Sequence, residues 1–326
     1  MKIAVTGASG RIGNLLVRRL IEAGHTVRVL VHRETRGLRD LPVETIHGSI
    51  LNPHDLDRLI QDSEAVFHLA AVVSIRSGMS EKLRRVNIEG ARYVLDSALL
   101  HGVRRVVSFS TVHAFQEGAV ASVFDESRPQ ALDAEMAYSR TKAEALQMTL
   151  QFAKEKKLEV LALCPTAVLG PYDYEPSLSG KMLIDFYKQR IPMLAPGGFD
   201  WVDVRDVADA AVAALHKGRS GEAYLLSGHY ATVRNIAALC SAATGKRAPG
   251  WVMPYPLLRL GAPIVEWVSL VTNTRPFYTR DAINTLKNGS KFVSSEKARR
   301  ELGFHSRPLE ETIADAYDWF AKQNYL

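Results

Sequence analysis

The residues of this chain with the most direct chemical meaning are Tyr138 and Lys142, in the segment Tyr-Ser-Arg-Thr-Lys. On a helix, residues four positions apart share a face, so the phenol and the ammonium group are expected to project into one space. A nearby cation favours the phenolate and lowers the tyrosine pKa, which helps it to exchange a proton with a substrate oxygen. Tyr138 is the only tyrosine with a lysine four residues later. The spacing indicates an acid–base pair, and an ordinary helix-surface pair is the alternative.

A hydroxyl group that could polarise a carbonyl follows an apolar stretch upstream of this pair. Residues 103–109 are predicted to form a buried strand, and Ser110 and Thr111 come directly after it. In open α/β sheets, ligands bind at the carboxyl ends of the strands. Thr111 is therefore a candidate for a hydrogen bond to a substrate oxygen, and a turn-forming hydroxyl is the alternative.

The first residues of the chain predict a phosphate-binding turn. A short apolar run leads into glycines at positions 7, 10 and 13, and apolar residues at helical spacing follow. The first glycine allows a sharp turn, the second lets the backbone approach a pyrophosphate, and the third packs helix on strand. The free N–H groups at the helix start face the anion, although turns in general also favour glycine. The residues expected to contact a dinucleotide here are Gly7, Ser9, Gly10, Arg11, Ile12 and Gly13.

The end of the second predicted strand bears on which dinucleotide is bound. In NAD sites, an Asp or Glu about 20 residues past the last glycine accepts a hydrogen bond from the ribose 2′-OH. Arg33 stands 20 residues after Gly13, and a guanidinium there suits a 2′-phosphate. Arg11 and Arg36 are expected to join the same cationic cluster. The pattern favours NADP, while Glu34 leaves NAD open and solvated surface arginines are the alternative.

The composition is that of a globular enzyme. The 326 residues are 47% hydrophobic and 23% charged, with a net charge of +6 whose basic residues are scattered. Cys164 and Cys240 lack metal-ligand spacing, which indicates a reducing compartment without a structural disulfide. The chain enters its first strand at once, and no apolar stretch reaches transmembrane length. We therefore expect a cytoplasmic enzyme with a small-molecule substrate, without metal, nucleic acid or stable membrane insertion, and we leave a homodimer open.

Strands and helices alternate through the first half of the chain with a period of roughly 30 residues. This pattern predicts an α/β fold with a doubly wound parallel sheet, the Rossmann fold. Beyond Pro165, prolines and glycines interrupt the chain, as expected where loops build a pocket. A helix and a strand over 204–226 then predict a return to the sheet. We expect a dinucleotide-binding domain of residues 1–170 and 202–230, and a smaller, mostly helical substrate-binding region of residues 171–201 and 231–326.

In their order and spacing, these motifs resemble the extended short-chain dehydrogenase/reductase family, of the NAD-dependent epimerase/dehydratase type. The resemblance covers nearly the whole chain. The segments that carry it are Thr6-Gly-Ala-Ser-Gly-Arg-Ile-Gly13, His68-Leu-Ala-Ala71, Val86-Asn-Ile-Glu-Gly90, Val106-Val-Ser-Phe-Ser-Thr111, Tyr138-Ser-Arg-Thr-Lys142 and Cys164-Pro-Thr-Ala-Val-Leu-Gly-Pro171.

The resemblance implies a role for each motif. Tyr138 would be the general acid/base, Lys142 its electrostatic partner and ribose anchor, and Thr111 the substrate-polarising hydroxyl. Asn87 and His68 are expected to support the backbone around the site rather than to perform chemistry. In the family, the last of the segments lies along the nicotinamide. Besides the glycine turn, Arg33, Tyr138 and Lys142, cofactor contacts are expected at Ile50, Leu69, Ala70, Ala71, Pro165 and Val168.

The chain departs from the family pattern after its third strand. Where the family commonly has Gly-Asp, this chain has Gly48-Ser49-Ile50. The usual carboxylate contact to adenine is therefore in doubt.

The substrate class depends on residues before the returning strand, where family members that act on nucleotide sugars usually carry an arginine that clamps the diphosphate. Here the residues before Trp201 are apolar, glycine or acidic. The chain is more similar to the dihydroflavonol-reductase, cinnamoyl-reductase and hydroxysteroid-dehydrogenase branch, whose members reduce or oxidise a carbonyl on an apolar, often ring-bearing substrate. Aromatic residues that would suit such a substrate are Phe186, Tyr187, Phe199, Trp201, Trp251 and Tyr255.

Three hypotheses about function remain at this stage. The favoured one is an NADP-dependent oxidoreductase that interconverts a carbonyl and an alcohol on a small apolar substrate by hydride transfer. The second is a sugar or nucleotide-sugar epimerase/dehydratase. The third is a redox-inert sensor of NADP, and the presence of both Tyr138 and Lys142 counts against it.

Overall fold

The main element of the fold is a seven-stranded sheet in which every neighbouring pair is parallel. The computed structural model describes residues 1–32, 36–73, 80–118, 122–258 and 289–326. The strand order is β3-β2-β1-β4-β5-β6-β9. This order confirms the predicted doubly wound sheet, and it reverses direction between β1 and β4. The strands are β1 (Lys2–Thr6), β2 (Thr26–Val31), β3 (Glu44–His47), β4 (Ala65–His68), β5 (Arg105–Phe109), β6 (Glu159–Pro165) and β9 (Ala223–Leu226).

Helices connect these strands and form most of the remaining structure. One long helical segment changes to a π-helix over Arg85–Glu89, and 3-10 turns occur at Arg36–Leu38 and Val112–Ala114. The α-helices are α1 (Arg11–Glu22), α2 (Pro53–Ile60), α3 (Ser80–Arg84), α4 (Gly90–Leu100), α5 (Ala137–Glu155), α6 (Leu178–Tyr187), α7 (Val204–Ala213), α8 (Val233–Thr244), α9 (Glu296–Leu302) and α10 (Leu309–Lys322).

Alternate residues of each strand point to opposite sides of the sheet. Helices cover both sides, so both faces of the sheet are buried. In β1, Ile3 and Val5 pack into one apolar cluster with α1 and α7, while Ala4 belongs to another cluster with α2 and α4. Leu16 of α1 and Leu56 of α2 are fully buried on these two faces. The two helix layers therefore hold the strands in place. Because the strands are parallel, the carboxyl ends of all of them lie at one edge of the sheet.

A second, three-stranded sheet, which the sequence analysis did not predict, lies across the boundaries of the two predicted regions. It consists of β7 (Ala167–Leu169), β8 (Gly198–Asp203) and β10 (His229–Thr232). Strand β8 pairs with β7 in parallel and with β10 in antiparallel orientation. Its strands were missed because they are short and are separated by proline and glycine. The division into two domains stays a prediction.

Helix α10 is connected to the rest of the fold by charged side chains. The Asp203 side chain accepts a hydrogen bond from the Arg205 N–H and caps α7. Arg205 also pairs with Asp315 of α10, and Arg307 pairs with Asp206. The neighbouring carboxylates raise the Arg205 pKa although burial opposes this shift. These ion pairs connect α10 with α7, which packs on the main sheet.

Among the described residues, no helix is long and apolar enough to cross a membrane. The apolar segment of residues 251–271 lies partly outside the described residues.

Candidate functional site

The turn between β1 and α1 has the geometry that its glycines predict. Gly7 has φ +70°, in the left-handed region that favours glycine. A Cβ atom on Gly13 would lie 2.2 Å from the Gly7 carbonyl oxygen, so only glycine lets α1 approach the turn this closely. Ser9 and Ile12 are half-buried beside them. The backbone at this turn is therefore held in one conformation by close contacts.

Gly10 differs from the other two glycines, because the protein does not fill the space beside it. A Cβ atom there would meet only the Gly7 carbonyl oxygen, at 3.4 Å, which is an ordinary contact. No side chain caps α1 at Gly10, and its first turn contains no acidic residue. The first N–H groups of a helix attract anions when nothing caps them. The open space and the uncapped helix start fit a pyrophosphate.

The chain after β4 lies directly against this turn. A Cβ atom on Gly7 would come within 2.6 Å of the Ala70 nitrogen. The Leu69 N–H donates to the Thr6 carbonyl oxygen at 3.1 Å, while Ala71 is exposed. The predicted contacts at Leu69, Ala70 and Ala71 therefore line the same cleft as the glycine turn.

Two buried polar side chains support the backbone at this edge of the sheet, as the sequence analysis expected. The Asn87 amide bonds both the N–H and the carbonyl oxygen of Val72, at 2.8 and 3.1 Å. His68 Nδ1 lies 2.8 Å from Thr6 Oγ1. Burial and, to a smaller extent, the positive charge of Lys142 lower the His68 pKa to about 3. His68 is thus neutral at physiological pH and has a structural role.

The loop after β3 has a carboxylate in spite of its departure from the family pattern. The Asp55 side chain, from the first turn of α2, accepts a hydrogen bond from the Ser49 N–H at 3.0 Å. A Cβ atom on Gly48 would lie 2.5 Å from Asp55 Cγ. The next residue, Ile50, is buried. Sequence reasoning missed Asp55, although an acidic residue in the first turn of the following helix was a visible signal.

The arginines assigned to the cofactor phosphate are only partly described. Arg33 lies outside the described residues, and Arg36 is exposed. Arg11 Nη1 donates to Ser179 Oγ at 3.0 Å and lies 3.7 Å from Asp173 Oδ2. The Arg11 side chain therefore connects the glycine turn to the start of α6. The cluster of three arginines at a 2′-phosphate stays a prediction.

The predicted catalytic residues come together where β5 ends and α5 begins. Thr111 is buried, and its side chain lies close enough to Tyr138, in the first turn of α5, to lower the pKa of the phenol. Lys142, one turn later, is also buried, and its Nζ donates to the Phe109 carbonyl oxygen at 2.9 Å. The strand end and the helix thus bring together a hydroxyl, a phenol and an ammonium group.

The proton affinities of these groups are set mainly by burial. Burial raises the Tyr138 pKa to about 12, although the Thr111 side chain opposes this shift. The direction is opposite to the sequence-based expectation that Lys142 would lower it. Burial also lowers the Lys142 pKa to about 8. Loss of hydration disfavours the charged form of each group. Tyr138 therefore carries its proton at neutral pH and can donate it.

Asp200, a residue without an assigned role in the sequence analysis, lies near the end of β6. Pro165 ends that strand, and the next residue, Thr166, donates from Oγ1 to Asp200 Oδ1 at 2.7 Å. Val168 follows in β7, where it is buried. Burial raises the Asp200 pKa to about 6. This carboxyl group belongs to β8 of the second sheet, which local sequence patterns did not predict.

A cavity of about 690 Å³ opens beside the catalytic residues. Its wall includes Val112 and His113, directly after Thr111, and Met136 and Ser139, on either side of Tyr138. The volume is in the range of small-molecule sites. The cavity is thus the candidate substrate site.

The described wall of this cavity has apolar and acidic side chains but no lysine or arginine. Among the aromatic residues expected there, Tyr255 is part of this wall, while Phe186 and Trp201 are buried in a cluster with α6, α8 and α10. Phe115 and Phe124, which the sequence analysis did not select, also line the cavity. Four cations of the predicted substrate-binding region that could pair with a diphosphate if they turned inward are exposed and absent from this wall: Lys181, Lys188, Arg190 and Arg234.

Comparison with known proteins gives one family. The sequence model of the NAD-dependent epimerase/dehydratase family matches residues 3–227. The chain is 32% identical to a protein named sterol demethylase protein B, from Methylococcus capsulatus, over the whole of both chains. It is 30% identical to a putative dihydroflavonol 4-reductase from Synechocystis, over 99% of this chain and 95% of the relative.

Solved structures share the fold. A UDP-glucose 4-epimerase from Thermotoga maritima superimposes with a TM-score of 0.80 at 22% identity, over 99% of this chain and 100% of the epimerase. At this level of identity the likeness concerns the fold alone.

Two glycine substitutions separate folding from cofactor binding at the turn. Gly13→Ala should destabilise the protein by about 1–3 kcal/mol, because its Cβ atom overlaps the Gly7 carbonyl oxygen. Gly10→Ala should leave the melting temperature nearly unchanged and weaken cofactor binding, because its Cβ atom enters the open space. Thermal unfolding and fluorescence titration with NADPH and NADH measure the two effects. Equal destabilisation by both substitutions would contradict this division.

The buried ammonium group predicts a pH dependence of stability. The Lys142 pKa is about 8 in the folded protein against an ordinary value of 10.5, so the unfolded chain binds more protons between these values. Stability should therefore rise with pH in this window. Relative to Lys142→Met, the wild type should gain about 2 kcal/mol between pH 7 and pH 10 in urea unfolding. Parallel pH curves for the two proteins would show that burial does not lower this pKa.

Proposed function

Since the chain belongs to the NAD-dependent epimerase/dehydratase family, as its motifs predicted, we propose that it is an NADP-dependent reductase of a carbonyl group on a small, largely apolar substrate. The chain is an NAD(P)-dependent oxidoreductase of the extended short-chain dehydrogenase/reductase type. The substrate, the preference for NADP and the direction of the reaction are the proposed parts.

The observation that carries the proposal is the protonated phenol of Tyr138 beside a cavity without a described cation in its wall. A nucleotide diphosphate brings at least two negative charges, and the loss of their hydration must be offset by paired cations. The described wall instead contains carboxylates. This favours a neutral carbonyl compound over a nucleotide sugar, and the reductase over the epimerase hypothesis.

Three side chains of the site have different roles in the proposed reduction. When bound, the reduced nicotinamide supplies a hydride to the carbonyl carbon. Tyr138 holds a proton at its phenol and transfers it to the carbonyl oxygen, so that the hydride and the proton together convert the carbonyl to an alcohol. The Thr111 side chain stabilises the phenolate that forms as the proton leaves. Lys142, held by the Phe109 carbonyl oxygen, provides positive charge behind the phenol as it loses its proton.

The dihydroflavonol 4-reductase relative supports this reaction class, because its name describes the reduction of a ring-bearing compound. The name of the sterol demethylase relative likewise points to an apolar ring system. For this chain, we propose an apolar aldehyde or ketone of that general kind. The cavity volume of about 690 Å³ suits a small ring-bearing molecule.

The preference for NADP rests on Arg33, with Arg36 nearby in sequence. We expect the unmodified protein to bind NADPH more tightly than NADH, because a guanidinium pairs with the 2′-phosphate. Arg33→Asp should erase or reverse this preference. Titration calorimetry with both cofactors measures it, and equal affinities in the unmodified protein would contradict the proposal. Arg104→Asp, at an exposed arginine directly before β5 and therefore at the opposite edge of the sheet, is a matched control for a general change of charge.

Tyr138→Phe tests the proton donor. The substitution removes only the phenol oxygen, so the turnover should fall by about 10²–10⁴-fold while the affinity for the cofactor is retained. Thr111→Val should lose less, because it removes a hydrogen bond to the donor and not the donor itself. Turnover is measured as NADPH oxidation. A Tyr138→Phe variant with normal turnover would show that another group supplies the proton.

The same assay with two substrate panels tests the reaction class. Apolar aldehydes and ketones should be consumed with oxidation of NADPH, whereas UDP and UDP-sugars should not bind in calorimetry. Tight binding of UDP would favour the epimerase hypothesis. Cofactor binding without turnover of either panel would favour the sensor hypothesis.

A further inference from the structure

Asp200 is a buried carboxyl group that the proposed reaction does not use. It lies on β8, it is only 8% exposed, and it lines the cavity beside Tyr138. Burial raises its pKa to about 6, so it is largely ionised at neutral pH. A buried charge is costly unless hydrogen bonds compensate for it. Its partners therefore indicate what it is for.

Both hydrogen bonds that anchor Asp200 go to the same oxygen. The Thr166 hydroxyl donates to Oδ1 at 2.7 Å, and the Gly228 N–H donates to Oδ1 at 2.8 Å. An ionised carboxylate has about four acceptor positions, two on each oxygen. The anchoring bonds thus fix the orientation of the group through Oδ1, and Oδ2 is the oxygen left for the cavity that this residue lines.

We propose that Asp200 recognises the substrate by accepting a hydrogen bond from a hydroxyl or amino group that lies away from the reacting carbonyl. The substrate class is then a ring-bearing ketone or aldehyde with a second, donor-bearing polar group. This inference rests on the proposed carbonyl reduction and makes its substrate more specific.

The composition of the cavity wall supports a donor rather than an acceptor on the substrate. Three further carboxylates, Glu117, Asp133 and Glu135, are exposed at the same cavity. Burial lowers the His113 pKa, so this residue adds little positive charge. Carboxylates repel anions and attract the positive end of an O–H or N–H dipole. Such a wall therefore favours a hydrogen-bond donor on the substrate.

The position of Asp200 allows it to act together with the catalytic residues. Ser139, the neighbour of Tyr138, and Thr166, the anchor of Asp200, line the same cavity. A substrate whose carbonyl reaches Tyr138 can therefore extend towards Asp200. Phe115 and Phe124 on the same wall, 6.2 Å apart between ring centroids, provide apolar contact for the body of the molecule.

A purely structural role makes a different prediction. The bonds to Thr166 and Gly228 require only an acceptor oxygen, which an asparagine also has. Asp200→Asn therefore preserves the anchor and replaces the free carboxylate oxygen by a donor. If Asp200 only joins β8 to the ends of β6 and β9, this variant should have unchanged substrate selectivity.

The experiment uses matched pairs of ring ketones with the full-length protein and NADPH. The probes are the 5-, 6- and 7-hydroxy and 7-amino derivatives of 1-tetralone, each compared with its O-methyl or N,N-dimethyl analogue, which lacks the donor. For at least one position, the wild type should prefer the donor compound by at least about tenfold in kcat/KM, mainly through KM. Hydroxyl and amino compounds together show which donor is preferred.

Two variants assign this preference to Asp200. Asp200→Asn should abolish or reverse the ratio. Asp318→Asn removes a carboxylate from the exposed face of α10, outside the cavity wall, and should retain it. Thermal unfolding shows whether each variant is folded. If Asp200→Asn does not fold, the ratio of kcat/KM for the donor compound and its analogue in the wild type still tests the proposal. If the wild type consumes all ketones without a donor preference, or if Asp200→Asn retains the preference, the inference is overturned. The reductase function stands in both cases.

A binding measurement separates the inference from the function on which it rests. Calorimetry with the complex of protein and NADP⁺ measures the affinity for the same pairs without turnover. If no ketone is consumed but the donor compounds bind more tightly and Asp200→Asn removes the difference, the recognition role stands and the reductase function fails. If no ketone is consumed and no pair differs in affinity, both are overturned.

Discussion

The close contact between the glycine turn and the chain that follows β4 is the constraint on which the rest of this site depends. Gly7 lies so near to Ala70 that no side chain fits between them, and Gly13 is in similar contact with Gly7. These contacts occur where the strand order reverses between β1 and β4. Neighbouring crossovers then run to opposite faces of the sheet, and a cleft opens between them. The start of α1 faces this cleft with an uncapped set of N–H groups.

Burial determines the chemistry of the side chains around this cleft. Tyr138, Lys142 and His68 are all shifted towards their neutral forms, because each has lost hydration without a full set of compensating charges. A neutral phenol is a proton donor, as reduction of a carbonyl requires. The same loss of hydration that costs stability thus keeps the proton on the Tyr138 phenol at neutral pH.

The second sheet forms part of the cavity wall. Strand β8 carries Asp200 into the wall and is joined to the ends of β6 and β9 by hydrogen bonds from Thr166 and Gly228. Because α10 is connected to α7 through ion pairs, the substrate region is attached to the main sheet at several points. Relatives with the same fold can therefore differ in substrate through residues of this region while retaining the catalytic helix.

The sequence alone determined those parts of the protein that depend on local patterns. Alternating strands and helices and the spacing of the glycines are local patterns, and they predicted the main sheet and the turn. The four-residue spacing of Tyr138 and Lys142 predicted that they share one face of a helix, while their catalytic roles stay a prediction. The three-stranded sheet, the carboxylate of Asp55 beside Ser49, and the place of Asp200 in the cavity depend on residues far apart in the chain. The direction of the Tyr138 pKa shift was also decided by tertiary structure, because burial is a property of the packed fold and outweighed the cation that the local spacing predicted.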